Sequence, residues 1–169
     1  LITGASRGIG AATAEVFAKH KYNIIINYYQ NEQKAIDLCK KLKEAYQVKV
    51  LPIQADMSKE EDINRMILEI QKQNIVIDCL VNNAAIAIDS LFEDKTVKNF
   101  EKTIQTNLIG PFWLSKEIGK EMYQRKAGKI INITSTNGID TFYPMSIDYD
   151  ASKAALISLT HNLAVEFAP

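Results

Sequence analysis

With 169 residues, 20 Lys+Arg against 20 Asp+Glu and 47% hydrophobic residues, the chain is long enough for a single domain with a sizeable core and carries no net charge. That balance argues against nucleic acid or an anionic membrane surface as a partner. No signal-peptide pattern and no apolar run of about 18 residues is visible, and Cys39 and Cys79 lack metal-ligand spacing, so structural thiols in a cytoplasmic setting and no metal are expected.

The chain opens on Leu1-Ile2, which reads as the tail of a strand, and stops at Pro169 just after a helical pattern, so a piece of a longer protein is expected. Thr3-Gly4-Ala5-Ser6-Arg7-Gly8-Ile9-Gly10 follows the stub and leads into a helical pattern from Ala11. Strand, glycine turn and helix together make a phosphate-binding context, because glycines let backbone approach a pyrophosphate and a helix N-terminus offers unpaired N–H groups. The spacing Gly-x-x-x-Gly-x-Gly departs from the common dinucleotide fingerprint, and an ordinary glycine-rich turn is the plainer alternative.

Asn23 to Asn27 is a short β-branched run, the second strand. At its end, where an acidic residue would hold the ribose 2′-hydroxyl of NAD, stand Asn27-Tyr28-Tyr29. No carboxylate there repels a 2′-phosphate and Arg7 can meet one, which favours NADP over NAD; the alternative for Arg7 is a solvated loop cation. An amphipathic helix from Asn31 to Tyr46 leads to a third strand, Val48 to Ile53, and to Asp56-Met57 at its carboxyl end. Asp56 faces either a ligand crevice or a turn. Ser58-Lys59-Glu60-Glu61 reads as a capping box opening the next helix.

A fourth strand, Val76 to Val81, runs into Asn82-Asn83-Ala84-Ala85, amides and small residues suited to a cofactor lying close to backbone, or simply to a turn. A helical pattern from Asn99 to Arg125 is interrupted at Gly110-Pro111, with Asn107 one turn before the break. Its apolar stripe, Phe100, Ile104, Leu108, Phe112 and Trp113, reads first as core and second as an interface for a homodimer or homotetramer. Gly128 to Ile133 is the fifth strand, ending at Thr134-Ser135-Thr136, followed by a loop over 136–148 and a helix from Tyr149 to Phe167.

Tyr149 and Lys153 stand four apart on that last helix and share a face. A tyrosine with its ordinary pKa of about 10 is a poor base at neutral pH. An ammonium at ~4 Å favours its phenolate by about 1 kcal/mol in water and by about 4 kcal/mol at an effective dielectric near 20. The pair is therefore chemically useful only where water is excluded; otherwise it is an incidental exposed pair.

Five strands alternating with helices predict an α/β fold, a Rossmann-type doubly wound parallel sheet in a three-layer α/β/α arrangement with strand order 3-2-1-4-5 and a crevice between strands one and four. A single NAD(P)-binding domain over 1–169 is expected. With these motifs in order, Thr3-Gly4-x-x-x-Gly8-x-Gly10, Asn82-Asn83-Ala84, Asn107, Ser135 and Tyr149-x-x-x-Lys153, the chain resembles the short-chain dehydrogenase/reductase family throughout, and within it is most similar to 3-oxoacyl-[acyl-carrier-protein] reductases. Sugar, steroid and other ketone reductases share these features.

The resemblance implies NADP-dependent reduction of a carbonyl, free or bound to acyl carrier protein as in fatty acid synthesis. Tyr149 would be the proton donor, Ser135 would hold the substrate oxygen, Lys153 would support both tyrosine and the nicotinamide ribose, and Asn107 would place a relay water. It further implies cofactor contacts from Gly4, Ser6, Arg7, Gly8, Ile9 and Gly10, from Asp56 and Met57, from Asn83, Ala84 and Ala85, and from Tyr149 and Lys153. Ala85 stands where the family usually has glycine, and family enzymes continue past the Pro169 position into further strands and a substrate lid. Arg125, Lys126 and Lys129 are either a docking patch for an acidic carrier or a solvated helix end. A cofactor-binding sensor without turnover is the reading from another class, and an intact Ser135, Tyr149 and Lys153 speak against it.

Overall fold

The computed structural model describes residues 1–140 and 142–168; Thr141, inside the predicted 136–148 loop, and Pro169 lie outside the described residues. Strands β1 (Ile24–Tyr28) and β2 (Val50–Gln54) pair in parallel, as do β3 (Cys79–Asn82) and β4 (Lys129–Asn132). Ile2 bridges both Ile26 and Val81, so the N-terminal stub lies between the two pairs. The order across the described strands is β2, β1, stub, β3, β4, which is 3-2-1-4-5 when the stub is counted first.

Among the described residues six α-helices cover this sheet: α1 (Gly8–Lys19), α2 (Glu32–Tyr46), α3 (Glu60–Lys72), α4 (Val97–Ile104), α5 (Gly110–Arg125) and α6 (Ile147–Glu166). All five residues of β1 are buried, and the two-residue period of a strand sends them to opposite faces. Ile24 and Ile26 pack with Ala14 and Ala18 of α1 and with Ala35 and Leu42 of α2, whereas Ile25 joins Ile63 and Met66 of α3 and Leu114 of α5. A continuous β-branched run is therefore what a sheet covered on both faces requires. Three layers follow from it.

The capping box expected at Ser58 does not form. The Ser58 hydroxyl and N–H both donate to Asp56 Oδ1, at 2.8 and 2.9 Å, and Lys59 takes the N-cap position of α3 without a side-chain bond. A carboxylate two residues back is the stronger acceptor. The break expected at Gly110-Pro111 within the pattern from Asn99 to Arg125 falls just before it: α4 and α5 are joined through a π-helical turn at Gln105–Ile109, and Pro111 follows in the first turn of α5. In the expected 136–148 loop, Thr136–Gly138 forms a 3₁₀ turn and α6 begins at Ile147, which places Tyr149 in its first turn.

Gly110 shows how closely these layers meet, since a Cβ built on it would lie 2.2 Å from the Met57 carbonyl oxygen. Alanine is the better helix former by about 1 kcal/mol, but this contact is with backbone that cannot turn aside. Gly110→Ala should cost about 1–3 kcal/mol or more and lower Tm by several degrees in a thermal melt. A Tm that rises would show that α5 can move off the end of β2.

Candidate active site

At the carboxyl ends of β1, β2 and β3 a cleft of about 480 Å³ opens, lined by Gly4, Ser6, Arg7, Gly8, Ile9, Asp56, Met57, Asn83, Ala84 and Ala85 among others. The sequence points to all ten. Gly8 has φ +59°, and a Cβ there would meet no protein atom within 4 Å, so the loop turns open backbone toward the cleft. α1 begins beside it with no side-chain cap and no acidic residue in its first turn, which leaves N–H groups and the positive end of the helix dipole unmatched by protein. These N–H groups are donors suited to a dinucleotide pyrophosphate, and the residues present fit that group; the exposed Arg7 guanidinium on the same loop is free to meet a further phosphate.

The loop is held by buried amides. Asn27 Oδ1 accepts from the Gly4 N–H at 3.1 Å while its Nδ2 donates to the Ala55 carbonyl at 3.0 Å, and the Asn27 side chain lies in the protein interior. Asn83 Nδ2 donates to the Thr3 carbonyl at 2.8 Å, and Thr3 Oγ1 accepts from the N–H groups of Asn83 and Ala84. Asn83 therefore braces the loop as well as lining the cleft. Gly10 does not line the cleft; a Cβ there would fall 2.6 Å from Asn83 Nδ2, so its role is close packing of helix on loop. Asn27, Lys102, Thr106 and Ile86 line the cleft without having been expected to. Lys102 and Thr106 are a helical turn apart just before Asn107, and that spacing is the only local signal they leave.

Lys153, 2% exposed, donates from Nζ to the Ile133 carbonyl at 2.7 Å, just past the end of β4, and its ammonium stands 5.6 Å from the centre of the Tyr149 ring. Burial lowers its pKa from 10.5 to about 8. The lysine of the i,i+4 pair thus lies out of water, and Tyr149 beside it is half-buried. Ser135 opens the Thr136–Gly138 turn, its Oγ accepting from the Asn137 N–H at 3.3 Å, and Asn137 Nδ2 donates to Asp150 Oδ1 at 2.8 Å, beside Tyr149. Neither Ser135, Tyr149 nor Lys153 is among the residues lining the 480 Å³ cleft.

Asn107 joins cleft and helix. It is fully buried in the π-helical turn, with Oδ1 accepting from the Ile86 N–H at 2.9 Å and Nδ2 donating to the Ile86 carbonyl at 2.9 Å and to Ser152 Oγ at 3.1 Å. Its side chain is thereby committed to protein partners. The cations expected as an alternative docking patch sit elsewhere. Arg125 donates to the Ile77 carbonyl at 2.8 Å and pairs with Asp78 at 3.3 Å, and Lys129 begins β4, at the end of the sheet opposite Ser135. They are a helix terminus tied to the start of a strand, not a surface facing the site.

Lys153 carries a pH signature. The unfolded chain keeps this proton up to about pH 10.5 and the folded protein up to about 8, so between those values the unfolded state binds more protons and stability rises with pH. The contribution is lost as pH falls toward 8. In thermal melts without cofactor, Lys153→Met should flatten the rise in Tm over that window; an unchanged slope would mean the ammonium is not desolvated.

Comparison with known proteins agrees with this geometry. The chain matches the short chain dehydrogenase family model over residues 1–169. It is 37% identical over 168 residues to 3-oxoacyl-[acyl-carrier-protein] reductase of Staphylococcus epidermidis, covering 99% of this chain and 68% of that protein. It is 34% identical over 169 residues to NAD-dependent glycerol dehydrogenase of Listeria innocua, covering 100% of this chain and 64% of that protein. A short-chain dehydrogenase from Sphingobium yanoikuyae, solved in complex with NADPH, superposes with a TM-score of 0.90 at 30% identity, covering 99% of this chain and 64% of that one. The chain spans about two thirds of the length of these relatives. A glycine loop held under an uncapped helix start, a parallel sheet ending in that cleft, and a buried lysine beside a tyrosine one turn away place the chain in the short-chain dehydrogenase/reductase family.

Proposed function

We propose that this chain is the cofactor-holding and proton-donating part of an NADP-dependent oxidoreductase that reduces a carbonyl to a secondary alcohol, with a 3-oxoacyl thioester on acyl carrier protein as its substrate. The observation that carries the reading is the buried Lys153 ammonium 5.6 Å from the Tyr149 ring, which supports a phenol in giving up a proton. A reduced nicotinamide, when bound, supplies hydride to the carbonyl carbon. Tyr149 donates its hydroxyl proton to the oxygen as negative charge develops there. Ser135 hydrogen-bonds the same oxygen and fixes its position. The Lys153 ammonium stabilises the phenolate left behind, and Asn107 braces the connection at Ile86 while the π-helical turn around it places a water for reprotonation. The N–H groups at the start of α1 hold the pyrophosphate, and Arg7 meets a 2′-phosphate.

A second reading, an alcohol or polyol dehydrogenase using NAD, has one observation in its favour: the cations expected to receive a carrier protein lie at the far end of the sheet from Ser135. The two readings share the chemistry and differ in substrate and nucleotide.

In the full-length protein, with acetoacetyl thioester and NADPH followed by nicotinamide absorbance, Tyr149→Phe should lower turnover about 10²–10⁴-fold with cofactor affinity nearly kept. Wild-type turnover in that variant would remove Tyr149 as the donor. Arg7→Ala should raise the KM for NADPH about ten- to a hundredfold, the worth of one charge-assisted contact to phosphate, and leave that for NADH nearly unchanged. Equal effects on both would favour the NAD reading.

A further inference from the structure

The tyrosine to which the proposed function assigns the proton sits in the least secured part of a helix. The N–H groups of a first turn have no partner within the helix and depend on a cap. α6 has none: Ser146, at its N-cap, gives its hydroxyl to Asp150 Oδ1 at 2.7 Å and accepts no bond from the helix. Asp150 ties the turn on its outer side, accepting from Ser146 Oγ, Asn137 Nδ2 and the Tyr143 N–H; a second tie, on the inner side, comes from the residue before Tyr149.

Asp148, the residue before Tyr149, is fully buried, an expensive place for a carboxylate. Its Oδ1 pairs with Lys95 Nζ at 2.9 Å, where the lysine side chain is itself only 5% exposed, and its Oδ2 accepts from Thr103 Oγ1 at 2.7 Å. Lys95 Nζ also donates to the Ile88 carbonyl. One carboxylate thus joins the first turn of α6 to α4 and to the connection that runs on from the cleft-lining residues Asn83 to Ile86. A backbone bond from the Ser90 N–H to the Met145 carbonyl at 3.1 Å ties the same connection to the approach of α6. A buried ion pair is weak as a source of stability, since apolar residues of similar volume often serve as well; what it does supply is one defined arrangement of the segments it joins.

We infer that Lys95, Asp148 and Thr103 form a positioning clamp for the reaction, holding the uncapped first turn of α6 so that Tyr149 stays in register with Lys153 and with the cleft wall. None of the three lines the cleft, so they act through Tyr149 rather than on substrate or cofactor. The inference rests on Tyr149 being the proton donor.

The test uses the full-length protein and compares Thr103→Val, which removes one hydrogen bond at constant shape, and Lys95→Met, which unpairs the carboxylate, with Thr103→Ser as the conservative variant. Leu42→Ala, a buried change under α2, serves as a control for destabilisation alone, and Tyr149→Phe as a control for the donor. NADPH fluorescence titration counts competent sites and gives Kd, and turnover of acetoacetyl thioester is expressed per such site. Thr103→Val and Lys95→Met should lose about tenfold or more in kcat per site with Kd within about twofold of wild type, while Thr103→Ser and Leu42→Ala keep kcat per site. Wild-type kcat in both variants alongside an inactive Tyr149→Phe would overturn the clamp and leave the donor standing. A Kd that rises in step with the loss of kcat would also overturn it, since the cluster would then be shaping the cleft. If Lys95→Met does not fold, Thr103→Val decides alone. Turnover retained by Tyr149→Phe would overturn the donor assignment and the clamp with it.

Discussion

The contact on which the rest of the site depends is the hydrogen bond from the Lys153 ammonium to the Ile133 carbonyl. It fixes α6 to the end of β4 and keeps a positive charge where little water can screen it. A charge held out of water acts on its neighbours several times more strongly than the same charge in bulk water. Burial has a cost, visible as the lowered pKa of the lysine, and the Ile133 carbonyl, just beyond the last residue of β4, partly offsets it by accepting a hydrogen bond from the ammonium. Sheet and reactive pair are therefore one problem with one solution.

The cleft beside that pair follows a second constraint, that buried backbone must be satisfied before it can be offered to a ligand. Asn27 Oδ1 and Asn83 Nδ2 bond the glycine loop, while α1 begins beside it with no side-chain cap on its first N–H groups. Side chains that look like ligand contacts are in part the frame that presents backbone. Asn107 shows the same division of labour, its side chain closing on Ile86 and Ser152 while the π-helical turn around it departs from the regular helical ladder.

Local pattern carried a great deal in this chain. β-branched runs, glycine spacing and four-residue helical intervals are set by covalent neighbours, and they located the parallel sheet, the glycine loop, and Tyr149 with Lys153 in positions the structure keeps. The same patterns misplaced the start of α3, because Asp56 outcompetes the helix for Ser58, and put an interruption at Gly110-Pro111 without showing that it takes the form of a π-helical turn over Gln105–Ile109. Arg125, Lys126 and Lys129 read as either a docking patch or a solvated helix end, and the parallel sheet puts Arg125 and Lys129 at its far end from Ser135.

What the sequence determined by itself is the chemistry: which residue types are present, at spacings that a strand or helix turns directly into shared faces. What only the tertiary structure decided is who satisfies whom across long stretches of chain. Lys95 and Asp148 are 53 residues apart, Thr103 and Asp148 45, and Asn107 and Ser152 also 45. No period links such positions, and each looks like an ordinary surface or core residue until the layers close. They meet because a charge or amide removed from water must find its partner inside, and the packed fold leaves very few places where it can.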